Sequence, residues 1–488
     1  MKSKARVTFL RNGNFTVPAG CNEIQVQAYF DSYQDTSATV SSSGFVLDQG
    51  GTVMCTGINS FGVLGQANVT QVSNPVAWSS ANKFIQISSV GQVIYGLTDR
   101  LRIFACGLGT SGEIGNGAAL SVSTPVAVAG TRTYSKVIGG TALGTDGRIY
   151  TWGGNGNGQL GVGDVLPRSS PTLVLGSFRY KDIALGDTCR FGLTVDGDLY
   201  AWGRNVDGQC GIGLAISGAS SPTLVLGGIK WRKILGTGLT QIGLSESGQV
   251  YTWGANGTGQ LGIGVAGGSR ASPVLIAGPT IPARTYVDVF GSGDSFGAID
   301  SNGSAYMWGA NISGQLGVGD ALAKSSPTLV LGGFQWSQVQ HNGSNGNTLG
   351  ITRSGVMYAW GNNSSGQLGV GDVTPRSSPV LVLGGITWSR ISRFASSQSA
   401  VAVSTTNHVF AWGNNATGEL GDGTLVSKSS PVLIMGGLST ITRQPPINIS
   451  VPVVPGTTYA VSVGPMVSFG DSVIALSPAD SVVLSFEQ

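Results

Sequence analysis

Apolar residues in this chain come in bursts of about five, set between stretches dominated by glycine, serine and asparagine. In the burst at 148–152 (RIYTW) the apolar side chains fall on both sides of an extended backbone instead of alternating, which predicts a strand covered on both faces. Asp146-Gly147 just before it predicts a hairpin turn, because glycine accepts the positive φ that such turns need. The segment after it, NGNGQLGVGD, supplies closely spaced glycines for tight bends. PTLVL at 171–175 then reads as an outer strand whose first residue, Pro171, needs no ladder donor. Helices have no support, since no long stretch carries apolar residues at i, i+3, i+4 and i+7 without glycine or proline inside it. The pattern predicts an all-β fold.

The same unit recurs along the chain. YTWGGNGNGQLGVGD at 150–164, YTWGANGTGQLGIG at 251–264, YMWGANISGQLGVGD at 306–320, YAWGNNSSGQLGVGD at 358–372 and FAWGNNATGELGDG at 410–423 are nearly interchangeable, and YAWGRNVDGQCGIG at 200–213 is a slightly altered sixth. Two worn copies precede them, CTGINSFGVLG from Cys55 and ACGLGTSGEIGNG from Ala105, which keep the glycines and lack the tryptophan. The corresponding glycines are Gly57, Gly107, Gly153, Gly203, Gly254, Gly309, Gly361 and Gly413, about 46 to 55 residues apart, a period found in propellers and solenoids. Evenly spaced short strands with one glycine and aromatic motif per unit favour a closed β-propeller. An open solenoid would need polar capping repeats, and none is evident.

The WGxN, GQLGxGD and SSPxLVLGG elements resemble the repeat of the regulator-of-chromosome-condensation family, over about 41–437. The resemblance implies a closed propeller of about eight blades, with seven, the family's usual number, as the alternative. LSTITR at 438–443 stands where other units carry IKWRKI or ITWSRI, and is expected to pair with the strand near 38–46 and close the ring.

The two ends are a different kind of sequence. NFTVPAGCNEIQVQAYF at 14–30 and ISVPVVPGTTYAVSVGPMVSFGDSVIAL at 449–476 alternate cleanly at Ile24, Val26 and Ala28 and at Tyr459, Val461 and Val463. They are read as halves of one small β domain, 1–37 and 444–488, with the propeller, 38–443, inserted between them; a closed ring brings its own ends together, as insertion requires. FTVPAG and the closing PG-TY-V-VG pattern resemble the glycine-rich β domains of bacteriophage tail fibres, though long polyglycine runs are missing.

Glycine contributes 78 residues and charged residues only 10%, against roughly 25% in ordinary soluble domains, so the surface is uncharged and polar. A formal charge of +3 gives no electrostatic reason for a nucleic-acid footprint or for adhesion to anionic membrane. Cys21, Cys55, Cys106, Cys189 and Cys210 are far apart, odd in number and without CxxC spacing, and are read as buried free thiols. The early apolar stretch at 7–10 is broken by Arg11 and Asn12 and fails as a secretory segment, and no apolar run approaches a membrane span, so a soluble protein made in the cytoplasm is expected.

Trp152, Trp202, Trp253, Trp308, Trp360 and Trp412 share one repeat position and are read as structural core between blades, with Trp231 in a preceding strand. Arg168, Arg270, Lys324, Arg376 and Lys428 lie three residues before the outer-strand proline, and propeller symmetry would set them in a partial basic ring able to grip a polyanion. Asp164, Asp320 and Asp372, four residues before Arg168, Lys324 and Arg376, offer local pairing as the plainer reading. His341 and His408, the only histidines, stand beside no plausible nucleophile or carboxylate pair, and no phosphate-cradling motif opens a helix. Neither catalysis, a metal nor another cofactor is expected. The irregular loops 264–273, 278–284 and 341–348 are candidates for partner contact.

The tail-fibre resemblance implies a non-enzymatic bacteriophage virion protein (tail fibre, spike or decoration protein), located in the virion and mediating attachment. Its implied partners are other virion proteins and a host-surface glycan or protein, without nucleic acid or membrane insertion, and it would form a homo-oligomer, a trimer by analogy with fibres. The alternative is an intracellular propeller regulator that binds a small GTPase or chromatin. A propeller lectin or glycan hydrolase has only the abundance of Trp and Asn behind it.

Overall fold

The structure is a computed structural model. It describes the chain apart from residues 1–3, 10–12, 17–22, 30–36, 41–42, 49, 187, 279–283, 344–345, 393–397, 436–446, 453–457, 462–466, 470–471, 475–480 and 488, and for the strands within 4–40 and 447–487 it describes the backbone alone. Among the described residues, apart from one 3₁₀ turn at Ser60–Gly62, the regular structure is β.

Eight four-stranded antiparallel meanders, 37–77, 84–127, 134–173, 180–224, 231–275, 286–329, 336–381 and 388–435, form blades 1 to 8 of a propeller. The count is eight rather than seven because each worn copy builds a full blade. In blade 2 the strands are Phe84–Val90, Val93–Thr98, Ile103–Gly107 and Val122–Ala127. First strands of successive blades touch one another, so they are innermost, and the half-exposed fourth strands are outermost.

Two bonds, repeated at each junction, tie the blades together. The first comes from the tryptophan position. The indoles of Trp152, Trp202, Trp253, Trp308, Trp360 and Trp412 donate to the carbonyls of Glu113, Gln159, Gln209, Gln260, Gln315 and Gln367 in the preceding blade, at 2.9 to 3.0 Å. The worn blades keep the bond with smaller donors: Thr56 gives its hydroxyl to the Glu419 carbonyl at 3.0 Å and Cys106 its thiol to the Val63 carbonyl at 3.3 Å. Space for the indole is left by a glycine; a Cβ on Gly161 would stand 2.8 Å from Cδ1 and Nε1 of Trp202.

The second bond depends on a bulge. Thr151 pairs with Thr172 but Gly153 pairs with Arg168, so Ser169, Ser170 and Pro171 stand against Trp152 alone. The bulge frees the Ser169 carbonyl, which accepts the Gly117 N–H of blade 2 at 2.7 Å. Pro171 is therefore the fourth residue of strand Arg168–Leu173, not the first as its sequence suggested; within the bulge on an edge strand it needs no donor. The same bond runs from Ala67 to Ser123, Gly163 to Ser220, Gly213 to Ala271, Gly264 to Ser325, Gly319 to Ser377 and Gly371 to Ser429, and closes the circle from Gly423 to Ser73, at 2.7 to 3.0 Å. Val46 of blade 1 packs against the blade 8 cluster that contains Val401, Val409 and Leu420 at this last junction.

Residues 438–443, expected to close the ring, lie outside the described residues. Blade 1 draws its innermost strand, Ser37–Val40, from its own sequence, paired with Ser43–Leu47. Outside the blades two further sheets combine both ends of the chain. One joins Lys4–Phe9, Ser481–Glu487, Glu23–Tyr29 and Ile447–Pro452, with Lys4 opposite Glu487 and Ile24 opposite Val451. The other joins Gly13–Thr16, Thr458–Val461, Val467–Phe469 and Ser472–Ile474.

Candidate interaction surface

Antiparallel meanders make the first and third strands of every blade run the same way, so all eight loops that follow the third strands open onto one face. The asparagine of WGxN shapes these loops. Asn155 Oδ1 accepts the Leu160 N–H at 2.9 Å while Nδ2 donates to the carbonyls of Asp164 and Leu166 at 2.9 and 3.0 Å. Asn311 and Asn363 repeat the arrangement. With its backbone so held, each loop turns apolar side chains outward. Val69, Leu120, Leu166, Leu214, Val265, Leu322, Val373 and Val426, one from each blade in turn, are 51% to 68% exposed. Loop 264–273 is one of these eight; 341–348 lies between the first and second strands of blade 7, with 344–345 outside the described residues, and 278–284 lies mostly outside them.

The five basic residues open the fourth strands of blades 3, 5, 6, 7 and 8. Arg168 meets Asp164 at 2.6 Å, Lys324 meets Asp320 at 2.7 Å, Arg376 meets Asp372 and Lys428 meets Asp422 at 3.2 Å. Arg270 turns onto the carbonyls of Ser269 and Gly268 at 3.1 and 3.4 Å. The Arg168 bond holds the Asp164 carboxyl below its ordinary range, and Lys324 does the same for Asp320. Blades 1, 2 and 4 carry Val72, Val122 and Ala219 at this register, so the basic positions form an interrupted arc, four of whose five members are neutralised where they stand.

A second set of charges escaped the sequence reading. Lys136 of blade 3 pairs with Asp182 of blade 4 at 2.6 Å, and Lys233 of blade 5 with Asp288 of blade 6 at 2.5 Å. In blades 2 and 7 the same position holds Gln86 and Gln338, whose amides bond both backbone groups of Val137 and Ile391 in the next blade, at 2.9 to 3.3 Å. The signal was present: two residues past the aromatic that opens each first strand (Tyr134, Tyr180, Trp231, Tyr286) the sign of the charge alternates from repeat to repeat.

The six repeat tryptophans are at most 1% exposed and take no part in a surface. His341 is buried, with Nδ1 2.9 Å from the Thr348 hydroxyl, and burial pushes its pKa down to about 4. Cys55, Cys106, Cys189 and Cys210 are buried and unbridged; Cys21 lies outside the described residues.

These features define a repeat propeller with a crown of apolar loops on one face. The family model described as RCC1-like domain matches residues 140–451, blades 3 to 8 and beyond, and leaves out the two worn blades that the structure supplies. The chain belongs to the RCC1-like domain family.

Among curated proteins it is 29% identical over 197 residues to the probable E3 ubiquitin-protein ligase HERC3 of Homo sapiens, covering 40% of this chain and 18% of that protein. It is also 29% identical over 213 residues to the ultraviolet-B receptor UVR8 of Arabidopsis thaliana, covering 39% and 43%. The matched region is thus less than half the length of either relative. Among solved structures, Prp20p from Saccharomyces cerevisiae, described with its binding properties to Gsp1p and histones, superposes with a TM-score of 0.56 at 16% identity, over 75% of this chain and 90% of that one. Human WBSCR16 gives 0.53 at 18%, over 85% and 94%. At such identities the likeness is one of fold.

These matches overturn the virion reading and, with it, the virion location, the virion and host-surface partners and the fibre-like trimer. They lie with RCC1-like propellers of animals, plants and yeast, and nothing in them points to a phage fibre. The reason is physical. Alternating residues broken by Pro-Gly turns suit almost any small antiparallel sheet, so the terminal segments carried little discrimination, whereas the repeat motif recurs in every blade.

Proposed function

We propose that this chain is a non-catalytic intracellular propeller regulator that binds a protein partner, a small GTPase or a chromatin protein, through the face bearing the eight loops. The observation that carries this reading is the apolar crown, joined to membership of the RCC1-like family and to the partners named for Prp20p. Exposed apolar side chains, one from each blade and rimmed by ion pairs, suit a protein surface better than a polyanion. That balance favours the GTPase over nucleosomal DNA. The ligase activity named for HERC3 is not carried over, because the match covers only 18% of that protein.

Supporting a further part of the proposal, the pairing of Lys4–Phe9 with Ser481–Glu487 suits a small β unit made by 1–37 and 444–488, with 38–443 inserted between. The test is binding of the full chain to a panel of purified small GTPases and to histone octamers, measured by interferometry, beside the triple variant Leu166→Asp, Leu322→Asp, Val426→Asp. A GTPase complex that the triple variant loses supports the reading. Histone binding in its place selects the other partner, and binding that survives the triple variant removes the crown from consideration.

A further inference from the structure

Blade 4 departs from the repeat at two positions that meet in space. Cys189 begins its second strand, opposite Gly203. Ser43, Val93, Thr240, Ser295, Asn347 and Ser399 hold that register in blades 1, 2, 5, 6, 7 and 8. Cys210 stands in the glycine-rich loop where the other blades carry Leu64, Ile114, Leu160, Leu261, Leu316, Leu368 and Leu420, and its N–H keeps the bond to the capping asparagine, Asn205, at 2.8 Å. The two sulfurs are 2.8 Å apart, and the residues are 1% and 0% exposed. Of the five cysteines in the chain, two thus replace a strand residue and an aliphatic loop residue at a pair of repeat positions whose side chains meet.

We propose that Cys189 and Cys210 are a disulfide-forming pair, an oxidative modification site built into blade 4. With a small disulfide as the oxidant, one cysteine thiolate attacks it and releases one thiolate, giving a mixed disulfide. The second cysteine thiolate then attacks the protein-bound sulfur and releases the other. Two protons leave the cysteines and reach the departing thiolates, and two electrons pass to the oxidant, so that Cys189-SH, Cys210-SH and RSSR become the bridged protein and two RSH.

Burial raises the Cys189 thiol well above its ordinary range, so Cys189 stays protonated in the native blade and exchange proceeds when the loop opens or as the blade folds. The loop fixed by this bridge is the one that holds blade 5, through the Gln209 carbonyl under Trp253 and the Gly213 N–H on Ala271. Oxidation therefore ties the junction between blades 4 and 5.

The experiment refolds the full chain in a mixture of reduced and oxidised glutathione, blocks free thiols in denaturant and maps the bridged peptides by mass spectrometry. The expected result is a fall from five titratable thiols to three, a linked peptide pair containing Cys189 and Cys210, and a melting temperature higher by about 3 °C that reductant reverses. Cys210→Leu, which restores the residue of the other blades, should fold and melt normally and lose the reductant-sensitive shift. Free alkylation of both cysteines after oxidative refolding, a bridge between any other pair, or a shift that persists in C210L would each overturn the proposal.

Discussion

The hydroxyl of Thr56 donates to the carbonyl of Glu419 across 363 positions of sequence, and it does so at the place where six other blades use an indole. The ring is thus closed by a smaller version of its own repeated bond, backed by the Gly423 N–H on the Ser73 carbonyl at 3.0 Å. A propeller opens first at its poorer junctions, so this seam and the one where Cys106 stands in for the indole limit the ring's resistance to unfolding.

Replacing Thr56 by Val keeps the shape of the side chain and removes the donor, leaving the buried Glu419 carbonyl short of a partner. The expected cost is about 1 kcal/mol, read as a lower urea midpoint with an unchanged slope. Trp202→Phe at an ordinary junction removes an indole donor together with part of a fully buried ring, and should cost more, about 2 to 3 kcal/mol. Equal costs at both sites would show that the seam is no weaker than the rest.

Ala67 occupies the loop position that is Gly117, Gly163, Gly213, Gly264, Gly319, Gly371 and Gly423 in the other blades, and it adopts φ 60 to make the same bond. An L-residue with a Cβ is strained in that conformation by roughly 1 kcal/mol. Ala67→Gly should therefore stabilise the protein, although glycine usually costs stability through unfolded-state entropy. Thermal melts of the two proteins decide the sign; a lower melting temperature for the variant would show that the strain is relieved elsewhere.

The repeat was legible because each of its residues answers a local demand. Glycine next to an indole, asparagine inside a turn and proline on an edge strand are all readable from one unit, and eight units multiplied the signal. What lay between units was harder to read. The bulge that places Ser169 against Gly117 hides in a sequence that otherwise looks like a plain strand, which is why the sequence suggests Pro171 as a strand's first residue when it lies within the bulge. Lys233 and Asp288 are 55 residues apart and meet only once blades stand side by side. The two sulfurs of blade 4 belong to residues 21 positions apart, and only register across the blades brings them together. The terminal segments misled for the opposite reason, since an alternating strand says that a sheet forms and nothing about whose sheet it is.

His341 supplies a pH-dependent term. An unfolded histidine titrates near 6.5, while burial holds the native side chain near 4. Between those values the unfolded chain binds a proton that the native chain does not, so this contribution is complete above pH 6.5 and is lost as pH falls toward 4. Its size is on the order of 3 kcal/mol. Since carboxylates titrate over part of the same range, the measurement is a difference: urea midpoints of the parent protein and of His341→Gln from pH 7.5 to pH 4.5. The curves should converge as pH falls, and parallel curves would mean that native His341 titrates normally.

Lys233 and Asp288 join the first strands of blades 5 and 6, with side chains 45% and 39% exposed. Water screens so open a pair, and its worth should be no more than about 1 kcal/mol. Charge reversal separates that energy from the packing of the lysine stem along the strand. Lys233→Glu alone sets two carboxylates against each other at the blade junction, Asp288→Lys alone sets two ammonium groups there, and the double exchange restores attraction with the partners swapped. The double variant should thus be more stable than the sum of the two single changes predicts, by about 0.5 to 1 kcal/mol in low salt. In 1 M salt, where the screening length falls to about 3 Å, the coupling should shrink toward zero while the single-variant packing losses remain. Coupling that is absent at both ionic strengths would mean that the junction is held by its backbone bonds and apolar contacts alone, and that the alternating charges of the inner strands serve only to keep them wet.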